Sequence, residues 1–158
     1  MVFQFGQYKV NVDPEKTRKF YETQESFFDG CGCDGCRNLE KALALIPQPV
    51  KEFFAEFGID PKKVYDCFAA RQKTEKAVLY QGICFAYGTV LEGESAWEKA
   101  GENRHIWNGE TAYPLTEDFR VSFENSSIKD KDVSEPAVKV EFTAIVPWLL
   151  DKEFSPGN

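Results

Sequence analysis

One histidine and one methionine stand in this chain of 158 residues. With His105 as the sole imidazole, a cysteine–histidine nucleophile has a single option. The polar run "ENRHIWNG" around it offers no evident partner to orient the ring. The chain also lacks a G-x-S-x-G elbow, a glycine-rich phosphate loop ahead of a helix, and an H-E-x-x-H pair. No window approaches 18 consecutive apolar residues, so no membrane-spanning helix is expected. The opening "MVFQFGQYKVNVD" shows neither a basic leader nor an apolar run of signal-peptide length. The expected setting is the cytoplasm, where thiols stay reduced.

Positive charge is also in short supply. Nineteen basic residues face 26 acidic ones, giving a formal charge of −7. No dense Lys/Arg stripe interrupts that balance, so the surface repels phosphate backbones and argues against nucleic-acid binding. An acidic surface suits a basic protein partner or simply keeps the domain soluble. Hydrophobic residues make up 42% and charged residues 28%, the proportions of an ordinary globular chain. We expect one domain over residues 1–150 and a tail over 151–158, with no disulfide or metal needed merely to fold.

The chain is rich in aromatic rings and in one cluster of sulfur. Fourteen Phe, six Tyr and three Trp suggest a core built on large rings. Three of the five cysteines fall within "FFDGCGCDGCRN", at Cys31, Cys33 and Cys36. An odd number of cysteines clustered in one loop does not resemble a disulfide framework.

Periodicity outlines the scaffold. In "VFQFGQYKVNVD" the alternation changes phase at Gly6, read here as one strand with a bulge. Asp13 and Pro14 form an N-cap and first helical position for "EKTRKFYETQ". In "RNLEKALALIPQPVKEFFAEFG" apolar residues recur at three and four positions, and Pro47 and Pro49 divide the run into two helices that stop at Gly58. From Val64 the period becomes two. "VYDCFAARQ", the turn "KTEK" and "AVLYQGICFAYGTVLEG" read as a hairpin whose second strand is interior. A helix from Asp60 through residue 70 is the competing reading. Residues 93–116 read as an irregular excursion carrying Trp97, Trp107 and Tyr113, either a partner-binding patch or a cover for the core. "DFRVSFEN" and "AVKVEFTAIV" are half-exposed strands, the second ending at Pro147. The expected fold is α+β: a helical N-terminal third on an antiparallel sheet of four to six strands.

The cysteine loop carries the chemistry. Gly30, Gly32 and Gly35 let the backbone turn so that the sulfurs of a C-x-C-x-x-C run converge. Cys36 falls near a helix start, where free N–H groups favour thiolate. Thiolates bind zinc, and a closed site wants four ligands. Cys67 is the fourth candidate beside Cys31, Cys33 and Cys36. Cys84, His105, Asp29 and Asp34 are weaker ones, Cys84 reading as a small core residue. Two other readings stand beside zinc: a redox enzyme or sensor using Cys33 and Cys36, and a tight turn whose thiols are only structural.

The runs "KTRKFY", "CGCDGCRNLEKAL", "VKEFFAEFGIDPKK" and "YQGICFAYGTV" resemble a group of small bacterial proteins with no assigned activity. They share a C-x-C-x-x-C-(R/K)-N loop entering a helix and a downstream F-F-x-x-x-G-I-D-P turn. The resemblance covers roughly residues 10–92. It implies a bacterial cytoplasmic setting and makes the loop, Arg37, Asn38 and the Gly58–Asp60 turn one recurring unit, with Asn38 tying loop to turn. It supplies no catalytic residue. These readings together favour a non-enzymatic binding or interaction domain over an enzyme.

Overall fold

The computed structural model describes residues 1–155. Its first two elements correct the expectation for the N-terminus. Strand β1 (Val2–Phe5) does not continue past Gly6 but folds back onto β2 (Tyr8–Val12), with Phe5 opposite Tyr8. Gly6 has φ +56°, and glycine at the first place of a two-residue loop is the chemistry of a tight hairpin. The phase slip in the alternation marks a reversal of the chain, not a bulge. The N-terminal third is therefore a hairpin followed by helices.

Helix α1 (Pro14–Glu22) starts as expected, the Asp13 carboxylate accepting the Lys16 N–H at 3.0 Å with Pro14 in the first turn. Helix α2 (Asp34–Ala42) runs into a 3-10 turn at Leu43–Leu45, and α3 (Gln48–Phe57) follows. Pro47 is the N-cap of α3 and Pro49 occupies its first turn, so the two prolines divide the helical run at the expected place. Gly58 ends α3 in the left-handed region at φ +78°. Its open α-carbon also lets the chain pass against α1, because an added Cβ would lie 2.2 Å from the Pro14 carbonyl oxygen.

Beyond Asp60, a 3-10 turn at Pro61–Lys63 leads into strand β3 (Asp66–Thr74), which excludes the helical alternative for that segment. Strand β4 (Ala77–Glu92) is the spine of the sheet. One edge pairs over its first eleven residues with β9 (Val133–Pro147), while the other is shared by β3 and then β2. Strand β8 (Phe119–Asp130) pairs with β9 and β7 (Tyr113–Thr116) with β8, completing seven strands, more than the four to six expected. The pairings are antiparallel throughout and the class is α+β.

One face of the sheet carries the helices. Val78, Tyr80 and Cys84 of β4, with Val138 and Val140 of β9, alternate onto it and are buried with Val50, Phe53, Phe54 and Phe57 of α3. The rings of Phe57 and Phe123 lie 5.9 Å apart and those of Phe3 and Phe57 4.9 Å apart, so the N-terminal hairpin closes one end of this layer.

The other face stays partly open along β8 and β9, as the half-exposed reading of these strands expects, but it is covered in one region. A two-stranded sheet, β5 (Trp97–Lys99) with β6 (His105–Trp107), lies over part of it. The Trp107 indole N–H donates to Ser122 Oγ at 2.8 Å, and the Trp97 indole N–H donates to Glu141 Oε1 at 3.1 Å. Ser122 and Glu141 are buried beneath these rings. The tryptophans of the excursion thus cover the sheet.

Candidate metal centre

The loop between α1 and α2 is built by two short capping devices. Ser26 opens a 3-10 turn at Phe27–Gly30 by accepting the Phe28 N–H at 3.3 Å, and Phe28 is buried beneath it. Cys33 is then the N-cap of α2, its Sγ accepting the Cys36 N–H at 3.4 Å. A sulfur takes the place a serine or aspartate oxygen usually fills. This pulls Cys33 over the first turn of α2, where Cys36 already points inward.

Three sulfurs meet there. The Cys36 thiol donates to Cys31 Sγ at 2.8 Å, and the sulfurs of Cys31 and Cys33 are 3.0 Å apart. All three lie within 4.8 Å of one another, and no disulfide joins them. Cys36 is buried while Cys31 and Cys33 are partly exposed, so the cluster backs onto the core and opens outward. The thiol hydrogen bond from Cys36, and then the hydrogen-bonded contact with Cys33, holds Cys31 below its ordinary value of 9.0. Burial, followed by the hydrogen bond to Cys31, pushes Cys36 the other way.

The three glycines contribute less than expected. None of Gly30, Gly32 and Gly35 lies in the left-handed region, and an added Cβ at Gly30 or Gly32 would meet nothing within 4 Å. The convergence comes from the 3-10 turn and the sulfur cap. Sequence spacing located the cluster but misread its cause.

The start of α2 is anchored by polar groups that are fully or largely buried. The Tyr80 hydroxyl donates to the Gly35 carbonyl at 2.7 Å. Asn38, with no exposed surface, donates to the Pro147 carbonyl at 3.0 Å and to Tyr80 Oη at 3.3 Å, and accepts the Leu149 N–H at 2.6 Å. Besides Tyr80, its partners are the end of β9 and the segment after it, not the Gly58–Asp60 turn expected from sequence. That segment folds back over the helix start: Lys152 Nζ lies 3.2 Å from Asp34, and Trp148 packs edge-on against Phe154 at 5.4 Å. The expected tail is thus docked as far as Phe154, and its last residues, 156–158, lie outside the described ones.

The remaining candidate ligands are elsewhere. Cys67 lies on β3 opposite Gly82 and faces an apolar cavity of about 30 Å³ among Leu39, Val50, Phe54 and Phe142. Burial pushes its thiol up to about 12, and its sulfur is outside the three-sulfur group. Cys84 has no exposed surface and behaves as the small core residue expected. His105 is exposed on β6, over the opposite face of the sheet. Asp29 is exposed, and Asp34 is engaged by Arg37 at 3.4 Å and by Lys152. Among the described residues, the sequence-based set of four is therefore brought together only as Cys31, Cys33 and Cys36.

The sulfurs are spaced between two chemical outcomes. Four thiolates at about 2.3 Å from zinc stand roughly 3.8 Å apart, so a bound cation would spread the cluster by about 1 Å. A disulfide, at about 2.05 Å, would draw one pair together by a similar distance. No protein-family model, curated protein or solved structure matches the chain. No helix of the described residues is long and apolar enough to cross a membrane.

Proposed function

We propose that this is a non-enzymatic binding domain whose Cys31, Cys33 and Cys36 hold a soft divalent cation, zinc being the one best suited to thiolates. The observation that carries this reading is the third sulfur. A disulfide would use two sulfurs and leave one stranded against them, whereas a single cation engages all three. Thiols packed sulfur to sulfur gain little from one another, while deprotonated they repel unless a cation lies between them. The Cys36 N–H on Cys33 Sγ is the kind of backbone donor that steadies a ligating thiolate. The resemblance to small bacterial proteins supports a bacterial cytoplasmic setting, and the acidic surface supports a protein partner.

Elemental analysis of protein purified without chelator tests the metal reading. About one equivalent per chain is expected, lost in Cys36→Ser, since binding of this strength depends on each thiolate. Stoichiometry near zero in fresh, reduced protein would end the reading.

A redox sensor is the second reading, and the geometry moves its centre. The sulfur approaches of 2.8 and 3.0 Å both involve Cys31. If the loop is redox-active, Cys31 is the shared partner, in place of the Cys33–Cys36 pair suggested by the C-x-x-C spacing.

A further inference from the structure

We infer that the cation held by Cys31, Cys33 and Cys36 keeps one coordination position open to an exchangeable donor from outside the chain, a thiol being the class best matched to it. The inference rests on the metal reading above and concerns how that site is completed.

A closed structural zinc site takes four protein ligands, whereas three protein ligands leave a vertex for water or another molecule. Among the described residues only three ligand atoms converge. Each further candidate lies outside that group, Asp29 included, its side chain exposed to solvent. Cys67 and Cys84 are buried in the sheet, the Asp34 carboxylate is held by Arg37 and Lys152, and His105 lies beyond the opposite sheet face.

The open vertex also points the right way. Cys36 closes the cluster on the core side, and the two ligands left partly exposed are Cys31 and Cys33. A donor can reach the cation without unfolding the loop, because the buried anchor at Asn38 and Tyr80 holds the helix start behind Cys36. Three thiolates make the site soft, and soft sites favour sulfur over oxygen in the remaining position. An incoming thiol would lose its proton on binding, as any cysteine ligand does. The arrangement suits reversible capture of a small thiol or of a cysteine on a partner, and it does not suit a permanent cross-link.

Cobalt(II) makes the vertex visible. The reduced full-length chain, kept reduced by a phosphine, is loaded with cobalt under anaerobic conditions and then titrated with free cysteine. The expected spectrum first shows sulfur-to-cobalt charge transfer from three thiolates. That absorbance then rises by about one third as a fourth thiolate binds, and Cys67→Ser behaves as the parent does. A spectrum already at four-thiolate intensity, indifferent to added cysteine and reduced in Cys67→Ser, would mean that the chain fills the vertex itself. The inference would then fail while the metal reading survived. A three-thiolate spectrum that ignores added cysteine would also overturn it. Failure to bind cobalt would remove the metal reading, and the inference with it.

Discussion

The Asn38 carboxamide oxygen accepts the Leu149 backbone N–H at 2.6 Å across 111 positions of sequence. The same side chain donates to the Pro147 carbonyl, so one buried amide ties the helix that follows the cysteine loop to the end of the last strand. Asn38→Ala would leave the part-buried Pro147 carbonyl and Leu149 N–H without this partner. The expected cost is about 1–3 kcal/mol, read from a denaturant midpoint shift at unchanged slope. Metal affinity should fall with it, because Cys36 lies two residues earlier on the same helix turn. Unchanged stability would mean that this tie holds nothing.

The contact at Gly58 makes a second, sharper demand. A side chain there would have to adopt φ +78° and place its Cβ 2.2 Å from the Pro14 carbonyl oxygen. Gly58→Ala should destabilise by at least about 1–2 kcal/mol, since the left-handed conformation alone costs that much. Gly32→Ala, with open space around its α-carbon, should stay within roughly 0.5 kcal/mol of the parent. Parallel thermal melts of the two variants separate the cases, and equal melts would contradict this account of both glycines.

Much of the scaffold was legible because its signals are local. Asp13–Pro14 caps and starts a helix within three residues, and Pro47 with Pro49 breaks one without outside help. The apolar run of β4 announced an interior strand, and the strand is paired along both edges. The Gly6 reversal was harder, since a bulge and a hairpin shift the alternation alike and differ only in where the chain goes next. The partners of Asn38 and the tryptophan cover over Glu141 depend on contacts between distant segments, and local periodicity carries no trace of them. Likewise the C-x-C-x-x-C spacing showed which sulfurs could meet, while the fate of Cys67 was set by the pleat of β3.

The cover over the second sheet face can be tested at one atom. Glu141 is 3% exposed, with Trp97 and Gln81 donating to its two oxygens at 3.1 and 3.0 Å and Lys139 Nζ 3.6 Å away. Trp97→Phe keeps most of the ring and removes the N–H. A hydrogen bond to a charged group contributes about 1.5–3 kcal/mol, and a loss of that order is expected by chemical denaturation. A loss no larger than that of an exposed substitution would show that the indole N–H is not needed here.

Alkaline pH should unfold the domain through groups that the fold keeps protonated. Burial raises Cys67 from 9.0 to about 12, and burial likewise raises Tyr80 and Tyr8 from 10.0 to about 12. The unfolded chain releases these protons first, so between pH 9 and 12 it binds fewer protons than the folded chain. Stability therefore falls with rising pH across that window, and the contribution is intact below pH 9. Denaturant midpoints measured in reduced, metal-free protein from pH 8 to 11 should decline steadily. Cys67→Ala removes one of the three groups, so its midpoint should start lower from lost packing yet decline less steeply. Parallel slopes for parent and variant would show that Cys67 ionises as readily folded as unfolded, and the buried place assigned to it on β3 would be wrong.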